Sequence, residues 1–167
     1  FGFVARYYDD TLGVNPKTLA LTEIVDLLGA GLGILPVFET DGAGPWTVDK
    51  GTLHGQAAVR EAARCGQPLG TPIVFAIDQD ADPASLVDYF NGVYSVLLDR
   101  FVIGVYGSYR VVKYARETFP ATGFFWQTYA WSNAQVYPAA DVFQHANGVT
   151  LRVGLDVDLD VASSPIP

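Results

Sequence analysis

Apolar and polar positions along this chain change period repeatedly, from two in short β-branched or aromatic runs to about 3.6 in longer Ala- and Leu-rich runs. Residues 2–7, 32–40, 73–78 and 101–106 read as strands. Between the first two, residues 22–30 carry Ile24, Val25, Leu27 and Leu28 behind Thr22 as N-cap, and Gly31 ends the helix. Residues 51–65 predict an Ala-rich helix closed by Gly66. Residues 83–99 predict another, with Asp82 as N-cap and Pro83 at its first position, and 108–118 a fourth. Strands that alternate with helices predict a parallel sheet with right-handed crossovers.

After Pro120 the rhythm breaks. Residues 124–128, 141–145 and 155–159 keep strand character, while Trp131-Ser132-Asn133 and Asn147-Gly148 between them read as turns. The expectation is seven strands, four helices and a nearly helix-free tail. No repeat, linker or low-complexity segment divides the chain, so residues 1–167 are taken as one domain.

Polar or aromatic residues recur where the predicted strands end: Arg6 and Tyr7, Glu39, Asp78 and Asp80, Tyr106, Gln127, Gln144 and His145, then Asp156 and Asp158. In α/β folds the carboxyl ends of parallel strands carry the site, at a barrel rim or at the switch point of a doubly wound sheet. Recurrence on successive strands favours the barrel. The sharpest case is Ile73-Val74-Phe75-Ala76-Ile77-Asp78-Gln79-Asp80, an apolar run that stops at two carboxylates. A strand continuing through them would set both on one face, about 6.5–7 Å apart, a spacing at which carboxylates cooperate in glycoside chemistry.

Composition narrows the partners. A chain of 167 residues that is 50% hydrophobic can bury a substantial core. Ten Lys+Arg against eighteen Asp+Glu give a net charge of -8 without a basic cluster, which argues against nucleic acid. Cys65 is the only cysteine, so an internal disulfide and a thiolate cluster are excluded, and a buried structural thiol is expected. No apolar run reaches the length of a membrane span, and no stretch within these residues reads as a signal peptide. Asp9-Asp10 is expected to be a solvated loop.

Val4-Ala5-Arg6-Tyr7, Leu21-Thr22-Glu23-Ile24, Gly31-Leu32-Gly33-Ile34, Gly55-Gln56-Ala57-Ala58, residues 73–80, Gly104-Val105-Tyr106-Gly107-Ser108-Tyr109, Trp126-Gln127-Thr128 and Val157-Asp158-Leu159-Asp160-Val161-Ala162 follow in order. This ordered set resembles the bacterial glycoside-hydrolase-like family known as domain of unknown function 1906, itself similar to the family 25 muramidases. The resemblance implies an α/β fold: a TIM-like β/α barrel, incomplete, whose last strands lack helices. It implies that the strand at residue 2 is the barrel's second, that Asp78 ends the fourth, and that Asp158 lies on the eighth. The barrel's first strand, which carries an Asp in the muramidases, is missing from this chain. An upstream segment or a partner chain is therefore expected to complete the barrel. The muramidase Asp-x-Glu pair reads Asp78-x-Asp80, one methylene shorter, which withdraws a donor by about 1–1.5 Å, and such a displacement can cost about 100-fold.

On this reading Asp78, Asp80, Glu39 and Asp158 are the catalytic candidates, with Asp80 as general acid and Asp78 ionised. Arg6, Tyr106, Trp126, Gln127, Trp131 and Gln144 are the substrate-binding candidates; Arg6 is also an ion-pair candidate for the carboxylates, and Trp126 is equally a core residue. The expected substrate is cell-wall glycan (peptidoglycan), encountered outside the cell or at its wall. No cofactor is expected. The alternatives are a silent glycan-binding or structural barrel, and a metal-dependent hydrolase using Asp156, Asp158 and Asp160 with Asp78 and Asp80. Lacking a His ligand set, the chain is assigned no metal.

Overall fold

The computed structural model describes residues 2–9, 17–40 and 44–163. The elements are β1 (Phe3–Tyr8), α1 (Leu21–Gly29), β2 (Gly33–Phe38), α2 (Val48–Cys65), β3 (Pro72–Ala76), α3 (Val87–Leu97), β4 (Val102–Gly107), α4 (Tyr109–Thr118), β5 (Thr122–Thr128), β6 (Val142–Thr150) and β7 (Asp156–Ala162). A 3₁₀ turn, Pro83–Leu86, leads into α3. The strands form one sheet in the order β1 to β7, parallel from β1 through β6. It curls into a half-barrel, an incomplete TIM-like barrel, and among the described residues β1 and β7 do not pair.

Both faces of the sheet are apolar, which is why the third strand reads as the unbroken run Ile73-Val74-Phe75-Ala76. Outward-facing Phe38, Ile73, Phe75, Ile103, Val105 and Phe125 pack with residues of α2, α3 and α4. Inward-facing Leu35, Val37, Val74, Ala76, Phe124, Trp126 and Val142 form a second layer inside the curl. The period of two separates these sets. Helices α2 and α3 touch backbone to backbone: a Cβ at Gly51 would overlap the Tyr89 carbonyl, and one at Gly92 the Val48 carbonyl.

Several boundaries differ from the sequence expectation for local reasons. α1 starts after Ala20, not Thr22, and the Glu23 carboxylate accepts from the Ala20 N–H at 3.5 Å. α2 begins three residues early because the Thr47 hydroxyl accepts the Lys50 N–H at 3.2 Å. The carboxylate of Asp82 caps Ala84 as expected, at 3.2 Å, but the first turn it caps is 3₁₀. β3 ends at Ala76, so Asp78 and Asp80 are not on a continuing strand.

The tail departs most. β6 and β7 are antiparallel, so the parallel order expected from the alternating strands and helices stops at β6. Only residues 151–155 join them, and a parallel return needs a dozen or more residues. β6 runs through Asn147-Gly148, which reads as a turn, to Thr150. It does so with register shifts between Gln144 and Ala146 and between Ala146 and Val149, where Gly148 takes φ 60. Asp9, expected in a solvated loop, is buried; Asp10 and residues 41–43 lie outside the described residues.

Candidate functional site

Counting in twos along each strand from the inner apolar layer leads to a polar set at the carboxyl rim. Val37 leads to Glu39, Ala76 to Asp78, Trp126 to Thr128 and Val142 to Gln144, while Tyr7 and Tyr106 pack against the layer directly. β7, descending from above, adds Asp158 and Asp160, the latter opposite Gln144. Electrostatic coupling ties these strands together. The Tyr7 hydroxyl is pushed up to about 12, first by burial and then by Glu39, Asp78 and Asp158, with Arg6 opposing. Tyr106 is raised too, by burial first, with Asp78, Tyr7 and Asp158 adding to it. A cleft of about 160 Å³ opens between Tyr7, Lys17, Glu39 and Thr40, where the Lys17 ammonium lies 5.5 Å from the Tyr7 ring centre.

Gln144 organises the far side. Its carbonyl oxygen accepts from the Tyr106 hydroxyl at 2.8 Å and the Thr128 hydroxyl at 2.7 Å, and its NH₂ donates to Asp158 at 3.0 Å. The other Asp158 oxygen accepts the Gly148 N–H at 3.0 Å, so this carboxylate is held at both oxygens. Trp126 donates its indole N–H to Asp160 at 2.7 Å and meets the Tyr106 ring edge to face, centroids 5.1 Å apart.

Two carboxyls hold their protons more tightly than usual. Asp78 is raised by burial and by Asp158, with Lys17 opposing. The residue is nonetheless exposed, so it can reach both water and a ligand. Asp160 is raised to about 6, mainly by burial and further by Asp158, while the Trp126 hydrogen bond and His145 hold it down.

The inner rim thus brings together Asp78, Glu39, Asp158, Tyr106, Trp126 and Gln144. Four other candidates lie elsewhere. Asp80 pairs with Arg110 of α4 at 2.7 Å, both exposed, because the chain has left the sheet after Ala76. Arg6 points to the helical side and pairs with Glu23 of α1 at 2.8 Å, not with the rim carboxylates. Gln127 is fully buried on the outer face, where its NH₂ donates to the Gln135 carbonyl at 2.7 Å and its oxygen accepts the Tyr137 N–H at 2.6 Å. Neither end of that amide is left for a ligand. Trp131 sits in the turn after β5, 41% exposed.

Tyr7, expected among the strand-end residues, does line the rim; Thr128 and Asp160 join it by strand parity, a signal the sequence carries although Asp160 reads there only as a cation ligand. Lys17 belongs to no periodic element and gave no signal. Among the described residues, no three His, Cys, Asp or Glu side chains gather closely enough to hold an ion. No helix among them is long and apolar enough to cross a membrane.

The Tat-secreted protein Rv2525c of Mycobacterium tuberculosis, in complex with L-tartrate, superimposes with a TM-score of 0.81 at 25% identity, over 96% of this chain and 84% of that one. GHIP, a glycosyl hydrolase 25 of Streptococcus pneumoniae, shares the fold with a TM-score of 0.66 at 12% identity, over 96% and 76%. The uncharacterized protein YbfG of Bacillus subtilis strain 168 is 30% identical over 109 residues, which are 57% of this chain and 15% of that protein. The chain therefore spans a small part of that curated relative. The sequence model of the Rv2525c-like, glycoside hydrolase-like domain matches residues 1–162, and the chain belongs to that family.

Proposed function

We propose that the inner rim binds bacterial cell-wall glycan and hydrolyses its glycosidic bonds, outside the cell or at the wall. The observation that carries this reading is Asp78: a solvent-reachable carboxyl with raised proton affinity, its charge felt by Tyr7 and Tyr106, two half-buried tyrosines that also feel Asp158. Glycoside hydrolysis needs one carboxylic acid to protonate the leaving oxygen and a second carboxylate beside the oxocarbenium-like centre. Asp78 is the donor in this scheme: its proton goes to the glycosidic oxygen as the anomeric carbon–oxygen bond breaks, and the water that adds to the anomeric carbon returns a proton to the Asp78 carboxylate. Asp158, held by Gln144 and Gly148, supports the positive charge that develops on the sugar. Glu39 flanks the cleft as a third acidic group beside Tyr7. Asp80, the acid expected from sequence, has no part in this scheme: it pairs with Arg110 at the exposed surface.

A second reading, a glycan-binding barrel without turnover, is favoured by the engagement of Asp158, Asp160 and Gln144 in hydrogen bonds within the protein. The two part on one experiment. Reducing ends are measured after incubation with purified peptidoglycan, together with sedimentation of the protein on the same material. Release that disappears in Asp78→Asn and Asp158→Asn, with binding retained, supports hydrolysis; binding without release in the wild type supports the silent barrel.

A further inference from the structure

The crossover from β5 to β6 is built more firmly than a connecting turn requires. Ser132, 2% exposed, donates its hydroxyl to the Thr128 carbonyl at 2.6 Å and accepts the Tyr109 N–H of α4 at 2.9 Å. Gln127 clamps the next stretch at residues 135 and 137. Between these buried anchors Trp131, Asn133 and Ala134 are all held at left-handed φ, 53, 50 and 58 respectively. That backbone conformation is unfavourable for a residue as bulky as Trp, and strain of this kind persists only where the surroundings over-determine it.

What this scaffold presents is aromatic: Tyr129 is 40% exposed and Trp131 41%. Tyr129 is continuous with the acidic rim, and Trp131 follows two residues along the same turn. The Tyr129 hydroxyl donates to the Asn147 side chain at 2.7 Å, its N–H donates to the Gln144 carbonyl at 3.0 Å, and the adjacent Gly148 N–H holds Asp158. Exposed, rigid rings beside hydrogen-bonding groups suit a pyranose, which offers an apolar face and a polar circumference.

We infer that Tyr129 and Trp131 form a second sugar subsite, which takes a ring of the same glycan chain some residues removed from the bond at Asp78 and Asp158. This rests on the glycan reading above and adds to it: the ligand is an oligosaccharide long enough to span rim and crossover. Ser132 and Gln127 act as positioning residues for the platform.

The test measures sedimentation on peptidoglycan sacculi and titration with a soluble N-acetylglucosamine tetramer, for wild type, Trp131→Ala, Trp131→Phe and Tyr129→Ala. Expected are about tenfold weaker binding in Trp131→Ala, near-wild-type binding in Trp131→Phe, and an unchanged melting temperature in both. The tetramer should shift tryptophan emission more in the wild type than in Trp131→Phe, where Trp126 at the rim is left to respond, a readout independent of whether Trp131→Ala folds. Wild-type affinity in Trp131→Ala and Tyr129→Ala, or an emission shift in Trp131→Phe as large as in the wild type, overturns the subsite alone. No binding by the wild type defeats the glycan reading, and the subsite with it.

Discussion

The Trp126 indole N–H reaches past β6 to the Asp160 carboxyl, 2.7 Å away, and so bonds β5 to a strand it does not neighbour. The bond sits inside the curl, where Asp160 is buried enough for its pKa to move from 3.8 to about 6. Between those values the folded protein holds a proton that the unfolded chain has released, so stability falls as pH rises through that window and stays lower above it. Asp160→Asn keeps a carbonyl for Trp126 and does not titrate. Urea denaturation from pH 3.5 to 7.5 should show the wild type losing about 1–2 kcal/mol relative to Asp160→Asn, less than the full shift because the carboxyl is only partly shielded. Parallel curves for the two proteins would contradict this.

If Asp78 donates a proton, Asp78→Asn should lower peptidoglycan hydrolysis by at least about 100-fold. Wild-type activity should decline as pH rises past the elevated Asp78 pKa. Lys17 favours the ionised form of Asp78, so Lys17→Gln should carry that alkaline limb to higher pH. A pH-rate profile settles the direction, and a limb moved to lower pH would count against the assignment.

Gly51→Ala is expected to cost about 3 kcal/mol or more, because the new methyl overlaps the Tyr89 carbonyl and the α2–α3 pair must separate. Gly66→Ala should cost less: an added Cβ there meets nothing within 4 Å, and its penalty comes from φ 68 alone. Thermal melts of the two variants side by side check the order.

Replacing Gln127 with Leu fills similar volume but strands the Gln135 carbonyl and the Tyr137 N–H. Each unsatisfied buried group costs about 1–3 kcal/mol. The expected signature is a lower melting temperature together with faster proteolysis between residues 129 and 140. A melt indistinguishable from wild type would mean that water replaces the amide.

Much of this fold is written in local chemistry. Asp82-Pro83, Gly66 and the switch from period two to 3.6 locate the β–α units because each acts within a few residues of itself. The direction of β7 is not local in that sense. It follows from the connection at 151–155, and Asn147-Gly148 mimics a hairpin turn while lying inside a bulged strand. The site divides the same way. Asp78, Tyr106 and Gln144 follow from strand ends, but Gln127 was chosen beside Trp126 although adjacent strand residues face opposite sides, so both could not line one rim. Asp80 was placed by extending a strand that stops at Ala76.

The bulges in β6 have a consequence for how this domain tolerates change. β6 spends two more residues than β7 between the Gln144–Asp160 pair and the Val149–Val157 pair. Parity on β7 is counted from that pairing and not from the hairpin tip. Insertions at residues 151–155 should therefore be accommodated with the acidic pair still facing inward. Loss of a single residue from 145–149 would remove one of the extra residues and draw the Val149–Val157 and Thr150–Asp156 pairs one step along β6, while Gln144 still faces Asp160. The bulged segment is slack in one strand of the pair, and the last strand's acids stay aimed at the rim because their register is fixed ahead of it, at Gln144 and Asp160.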